Sequence, residues 1–215
     1  MKRQSIMIIG LGQFGSTVAK SLIELDQEVL GVDIDADIVQ RATTFLTHAV
    51  VADATDELVL QSLGLGQYDI VIVAIGDNTQ ANLMTSMMLK ELNVPYVVSK
   101  AESELQGKML KKIGVDMVLY PERDMAMRLA QSLTRDYVLD YLQLSNDIGL
   151  VEIETPEFLV GKTLIESGLR ERYQLSVVAV KTGNDIEVPP KPNRPLTEAD
   201  RLILIGRIHD IDELV

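Results

Sequence analysis

The first 120 residues alternate between short β-branched or aliphatic runs and longer stretches in which apolar positions recur every three or four residues. Ser5–Ile9 reads as a strand and runs into Gly10-Leu11-Gly12-Gln13-Phe14-Gly15. Phe14, Val18, Leu22 and Leu25 then mark one face of a helix. Glu28–Val32 predicts a second strand ending at Asp33, followed by a helix around Ala36–Thr43 and a strand at His48–Val51 leading to Asp53. Thr55-Asp56-Glu57 opens the next helix, with carboxylates placed to complement its positive end. Ile70–Ile75 is apolar throughout, as a central strand covered on both faces must be. Asn78–Leu92, Val94–Ser99, Glu104–Ile113 and Met117–Leu119 continue the rhythm. Strands separated by helices in this way predict an α/β fold with a Rossmann-like, doubly wound parallel sheet.

The rhythm changes after Pro121. Met125, Leu129, Leu133 and Tyr137 recur every fourth residue and predict a long connector helix from Asp124 to Tyr141. Beyond it, Val151–Ile153, Leu175–Val180, Ile186–Val188 and Leu202–Ile205 are strand-like, with a turn at Gly183-Asn184-Asp185. Five of the seven prolines fall in this half. The expected organisation is a doubly wound α/β domain with connector over 1–136 and a small α+β domain over 137–215.

Composition narrows the chemistry. A formal charge of −12 speaks against nucleic-acid partners, which need clustered Lys and Arg, and against adsorption to an anionic membrane surface. The absence of cysteine removes disulfides, thiolate nucleophiles and cysteine-ligated metals. No run approaches the roughly 18 apolar residues of a membrane span. The start, Met1-Lys2-Arg3 before Ile6-Met7-Ile8-Ile9, faintly imitates a signal peptide but stops at a glycine turn without a cleavage site. A cytoplasmic protein beginning with a buried strand is expected.

Gly10-x-Gly12-x-x-Gly15 carries the chemistry, because it follows a strand and opens a helix. Gly10 permits the tight turn, Gly12 lets a pyrophosphate approach the backbone, and Gly15 lets helix and strand pack closely. The helix N-terminus offers N–H groups to phosphate. Asp33, about 18 residues beyond Gly15, stands where an acid binds ribose hydroxyls and repels the 2′-phosphate of NADP. Asp53 and Ile75-Gly76 end the third and fourth strands, where ligand-binding residues of such sheets collect. A dehydrogenase would need an acid or base besides. Tyr96-x-x-x-Lys100 resembles a reductase dyad, but on a strand the two side chains lie about 13 Å apart. His48 reads as a structural histidine and His209 as part of a solvated helix face. No nucleophile elbow or metal-ligand spacing is present.

The run from Ile8 to Gly15, with Val32-Asp33-Ile34-Asp35, Ala52-Asp53-Ala54-Thr55, Val71 to Gly76 and Tyr120-Pro121-Glu122-Arg123-Asp124-Met125, resembles the RCK (regulator of potassium conductance) family. These are the cytosolic regulatory subunits of Trk/Ktr-type potassium uptake systems. Leu169-Arg170, Tyr173 and Val177-Val178-Ala179-Val180 extend the likeness to the C-terminal domain. The resemblance implies a non-catalytic protein that binds ATP or ADP, as Ktr-like members do, or NAD(H), as Trk-like members do. It also implies homodimers that assemble into an octameric ring and dock on a membrane-embedded potassium-translocating subunit at the inner face of the membrane. A soluble NAD-dependent oxidoreductase is the alternative that the fold alone would allow.

Carried over by resemblance, Gly10, Gly12, Gly15 and the adjoining Phe14 match the phosphate turn, and Asp33 the ribose acid. Ile34, Asp35, Asp53 and Ala54 surround the adenosine, and Ile75, Gly76 and Asp77 form the fourth-strand lip. Lys100 matches a basic residue facing the phosphates, though a solvated strand-end lysine fits the position too. Arg123 belongs to the nucleotide-binding set. Glu122 matches a carboxylate that holds Mg²⁺ or Ca²⁺ at the dimer interface, though it equally suits the first turn of a helix. Arg170 matches a contact for cyclic di-AMP in some relatives, or is a plain surface arginine. Gln13 stands where Ktr-like relatives carry Arg against the terminal phosphate, which leaves room for ADP, AMP or NAD beside ATP. Gln106 stands where some relatives have His.

Overall fold

The computed structural model describes residues 3–134, 138–145 and 147–214, which form two compact units, Met1–Asp124 and Met125–Val215. The expected boundary at 136/137 lies outside the described residues.

In the first unit the chain runs β1 (Ser5–Ile9), α1 (Gln13–Glu24), β2 (Glu28–Asp33), α2 (Ala36–Ala42), β3 (His48–Val51) and α3 (Glu57–Ser62). It continues through β4 (Ile70–Val73), α4 (Thr79–Glu91), β5 (Val97–Lys100), α5 (Glu104–Ile113), β6 (Met117–Leu119) and the start of α6 (Pro121–Thr134). All six strands are parallel, in the order β3-β2-β1-β4-β5-β6. β1 shows why its sequence is apolar without alternation. Met7 and Ile9 enter one core with Val71, Val97 and Leu89, while Ile6 and Ile8 enter another with Ala19, Val39 and Val98. The order reverses between β1 and β4, and this switch point of a doubly wound sheet leaves a crevice at the strands' carboxyl ends.

The second unit holds the rest of α6, then β7 (Val138–Gln143), β8 (Ile148–Glu154), α7 (Leu164–Ser167), α8 (Leu169–Arg172), β9 (Ser176–Thr182), β10 (Asp185–Glu187), β11 (Asp200–Arg207) and α9 (Ile208–Asp212). Its sheet is antiparallel, in the order β10-β9-β11-β8-β7. Val151, Ile153, Leu202 and Leu204 pack on Leu159, Leu169 and Leu175. Asp200, fully buried, receives a bidentate pair from Arg194 at 2.7 and 2.8 Å, the Thr182 hydroxyl, and the Thr197 N–H at 2.7 Å. The Arg194 guanidinium holds its carboxyl well below the usual aspartate range.

Three expectations change. The helix expected to reach Tyr141 is described as far as Thr134, and Val138–Gln143 is a strand paired with β8. Tyr137 lies outside the described residues. Leu25 caps the end of α1 and is exposed rather than part of its buried stripe. The fifth strand begins at Val97, because Pro95 has no N–H for a ladder.

Candidate nucleotide site

Gly10 has φ +95°, and a Cβ there would lie 2.9 Å from the Ala74 carbonyl carbon, so β1 can turn beside β4 only with glycine. A Cβ on Gly15 would collide with the Gly10 carbonyl oxygen, which fixes the close seat of α1 on the turn. At Gly12 nothing would meet a Cβ within 4 Å. The backbone there is open, and Gly12 is the N-cap of α1 with no side chain bonding the first-turn N–H groups. By contrast, α2, α3, α4 and α5 are closed by Asp35, Asp56, Asn78 and Ser103, each accepting from its own helix. The first turn of α1 also lacks acidic residues, so its donors and dipole face outward unneutralised.

Asp33, at the tip of β2, accepts from Leu11 N–H at 2.6 Å with one oxygen and from Asp35 N–H at 2.9 Å with the other. It therefore pins the glycine turn while keeping lone pairs for a further donor such as a ribose hydroxyl. Asp35 caps α2 through Asp37 and Ile38 N–H. Asp53 accepts from the Thr55 hydroxyl at 2.7 Å and its N–H at 2.9 Å, and these bonds hold its carboxyl below the usual value. Gly10, Gly12, Asp33, Ile34, Asp35, Asp53, Ala54, Ile75, Gly76 and Asp77 line one cavity of 440 Å³, together with Ile9, Ile38, Ala52, Thr55, Ala74, Asn78 and Ala81. Such a volume suits a small ligand.

Lys100 is not a solvated strand-end lysine: it is 8% exposed. Its ammonium lies 2.7 Å from Glu122 Oε1 and 3.7 Å from Glu102 Oε1, and 3.1 Å from where a Gly76 Cβ would stand. It thus sits behind the β4 lip of the cavity. Its bond to Glu122 holds that carboxyl below the usual value.

Besides Lys100 and Glu122, four predicted residues lie outside the lining of that cavity. Arg123 stacks on Tyr120, 3.8 Å from the ring centroid, and bonds Asp124 at 2.9 Å. Phe14 packs on the core face of α1, and Gly15 is buried beneath the turn. Gln13 lines a depression between α1 and α2, with Ser16, Lys20 and Arg41, that adjoins the cavity through the shared Gly12 and Ile38. His48 opens β3 as expected and is exposed. His209 is 77% exposed on α9, and Arg170 is exposed on α8.

Sequence reasoning missed a buried polar network behind the site. Asn82, Thr85, Ser86 and Ser99 are fully buried and Gln106 nearly so. The Asn82 amide donates to the carbonyls of Ile75 at 3.0 Å and Lys100 at 3.1 Å. Its oxygen accepts from Ser99 and Gln106, while Ser86 donates to Ser99. Gln106 accepts the Glu102 N–H, and Thr85 donates to the Ala54 carbonyl at 3.0 Å. The signal was present: 82, 85, 86 and 89 are spaced as one helix face, and three of them are polar.

Comparison with known proteins settles the family. Residues 6–121 match the TrkA-N domain model and residues 150–215 the TrkA-C domain model. The chain belongs to this Trk/Ktr potassium uptake family, the RCK family. Among RCK relatives, the Ktr system potassium uptake protein C of Bacillus subtilis (strain 168) is 43% identical over 209 residues, covering 97% of this chain and 95% of that protein. The Ktr system potassium uptake protein A of the same organism is 39% identical over 211 residues, covering 98% and 95%. The solved GsuK channel superposes with a TM-score of 0.73 over 99% of this chain and 39% of its own, at 22% identity, and so shares the RCK fold.

Proposed function

We propose that this chain is a non-catalytic regulatory subunit of a Trk/Ktr-type potassium uptake system, controlled by an adenine nucleotide bound at the switch-point cavity. One observation carries the reading: α1 presents an uncapped N-terminus through Gly12 in the same cavity that Asp33 lines. Phosphates take the N–H groups and the positive end of α1. Ribose hydroxyls take the free lone pairs of Asp33, with Asp35 and Asp53 on the same side, and the base packs between the apolar faces of Ile34, Ile38 and Ile75. ATP and ADP are the first candidates, with NAD(H) as the third; Asp33 disfavours a 2′-phosphate.

Lys100 is the cation at the phosphate side, reached by exchanging Glu122 for a phosphate oxygen. Within one chain the donors do not fit a divalent cation, because an ammonium already stands 2.7 Å from Glu122. Mg²⁺ or Ca²⁺ at Glu122 would need the nucleotide's own phosphates to complete its shell. Arg170, exposed on α8, is the candidate contact for cyclic di-AMP. The subunit would form homodimers and an octameric ring. That ring would stay cytoplasmic and meet the membrane through its potassium-translocating partner, and no described helix is long and apolar enough to cross a membrane.

The test is calorimetry of the purified protein with ATP, ADP and NADH, paired with identification of the nucleotide released on denaturation. Micromolar binding of at least one is expected. No binding of any at millimolar concentration would overturn the reading.

A further inference from the structure

Polar side chains on the inward face of a helix need a reason, because an aliphatic residue packs there without hydrogen-bond demands. Asn82 and Thr85 of α4 each have one at a strand tip, while Ser86 donates to the Ser99 hydroxyl within β5. Ile75 is past the last residue of β4, and Ala54 is past the end of β3. Carbonyls that leave a ladder inside the protein must find another donor. Thr85 supplies it for Ala54, and the two Asn82 N–H groups supply it for Ile75 and for Lys100 at the end of β5. Gln106 then orients Asn82 by donating to its oxygen, and accepts the Glu102 N–H in the segment after β5.

We propose that Thr85 and Asn82 of α4, with Gln106 of α5 orienting Asn82, are positioning residues that fix the β3 and β4 lips of the nucleotide cavity and the β5 end behind them, and divide the ligand between them. The reading rests on nucleotide binding at this cavity. Thr85 sets the β3 lip, where Asp53 and Ala54 face the adenosine half. Asn82, oriented by Gln106, sets the β4 lip, where Ile75 and Gly76 face the phosphate half, and the β5 end, which carries Lys100 behind that lip. All the groups involved are neutral amides and hydroxyls, so they act by fixing backbone rather than by charge.

The division makes a test that general destabilisation cannot mimic. Calorimetry compares adenosine with ADP on the full-length protein and three variants. Gln106→Ala should weaken ADP about tenfold and leave adenosine within about twofold, since only the phosphate half loses its support. Thr85→Val should weaken both ligands by one common factor of about five, and Thr85→Ser, which keeps the hydroxyl, should restore both. Should Gln106→Ala fail to fold, Ser99→Ala removes another donor to Asn82 and should show the same split, smaller. Equal losses for both ligands in Gln106→Ala, or no rescue by Thr85→Ser, would overturn the proposal. Wild-type protein that binds neither ligand would defeat the nucleotide reading instead. Amide exchange without ligand then decides the positioning role: faster exchange confined to the segments around Glu102 (Gln106→Ala) and Ala54 (Thr85→Val) supports it, and unchanged exchange there refutes it.

Discussion

Asp33 is a single side chain with two duties, and the distances tell them apart. The 2.6 Å bond from Leu11 N–H ties the glycine turn to β2, so the carboxylate shapes the site before any ligand arrives. The remaining lone pairs are what a ribose would use. Asp33→Ala removes both duties and should weaken adenine-nucleotide binding by about 1.5–3 kcal/mol, a ten- to hundredfold loss. Asp33→Asn keeps an acceptor for Leu11 but loses the charge, and should fall between wild type and alanine. Isothermal titration with ADP checks both, and unchanged affinity in Asp33→Ala would remove the assignment. The residue's position was readable from sequence because a strand, a glycine turn and a second strand fix it locally. Its bond to Leu11 was not, since nothing in the spacing says which N–H a carboxylate will choose.

Among elements, the parallel sheet was legible and one strand was not. β1, β3, α5 and β6 have the bounds expected, because their apolar runs are bracketed by glycine, acid or cap residues. Val138–Tyr141 reads as helix because the four-residue period through Met125, Leu129 and Leu133 carries on into it. Its strand character depends on β8, a partner found only by pairing. The inward face of α4 is legible only as the spacing of 82, 85, 86 and 89, because polar residues on an inward stripe cancel the amphipathic signal.

In the second unit, Asp200 ties β11 to Thr182 on β9 and to the loop bearing Arg194. Its folded-state pKa is lowered, so its contribution is fully present above the unfolded value of about 3.9 and is lost as pH falls toward the folded one. Asp200→Asn leaves the Arg194 guanidinium with only the more distant Glu187, 3.8 Å from Nε, as countercharge and should cost about 2–3 kcal/mol at neutral pH. Denaturant unfolding at pH 7 and pH 3 tests this: the gap between wild type and variant should shrink at the lower pH. A gap of equal size at both would rule out the ion pair as its source.

For the whole molecule, charge and apolar surface pull in opposite directions. At −12 per chain, copies repel one another, and the repulsion falls as salt screens it. Any assembly must therefore be driven by apolar contact. The first unit offers such a face, where Leu83, Met84 and Met87 of α4 meet Met109 and Ile113 of α5 around a depression of 320 Å³, with Lys112 the one charged residue lining it. Met84, Met87 and Met109 are each about two-fifths exposed, an arrangement more typical of an interface than of a monomer's surface. Light scattering of the nucleotide-bound protein should give a mass near eight times the 23.8 kDa chain, with the assembled fraction larger at high salt than at low. Met84→Glu with Met87→Glu would set two carboxylates into that face and should lower the mass, since an unpaired charge is not buried without several kcal/mol of desolvation. Both positions are partly exposed, so the variant should melt within a few degrees of wild type. A monomeric wild type, or a doubly substituted variant of unchanged mass, would show that this face does not join the copies.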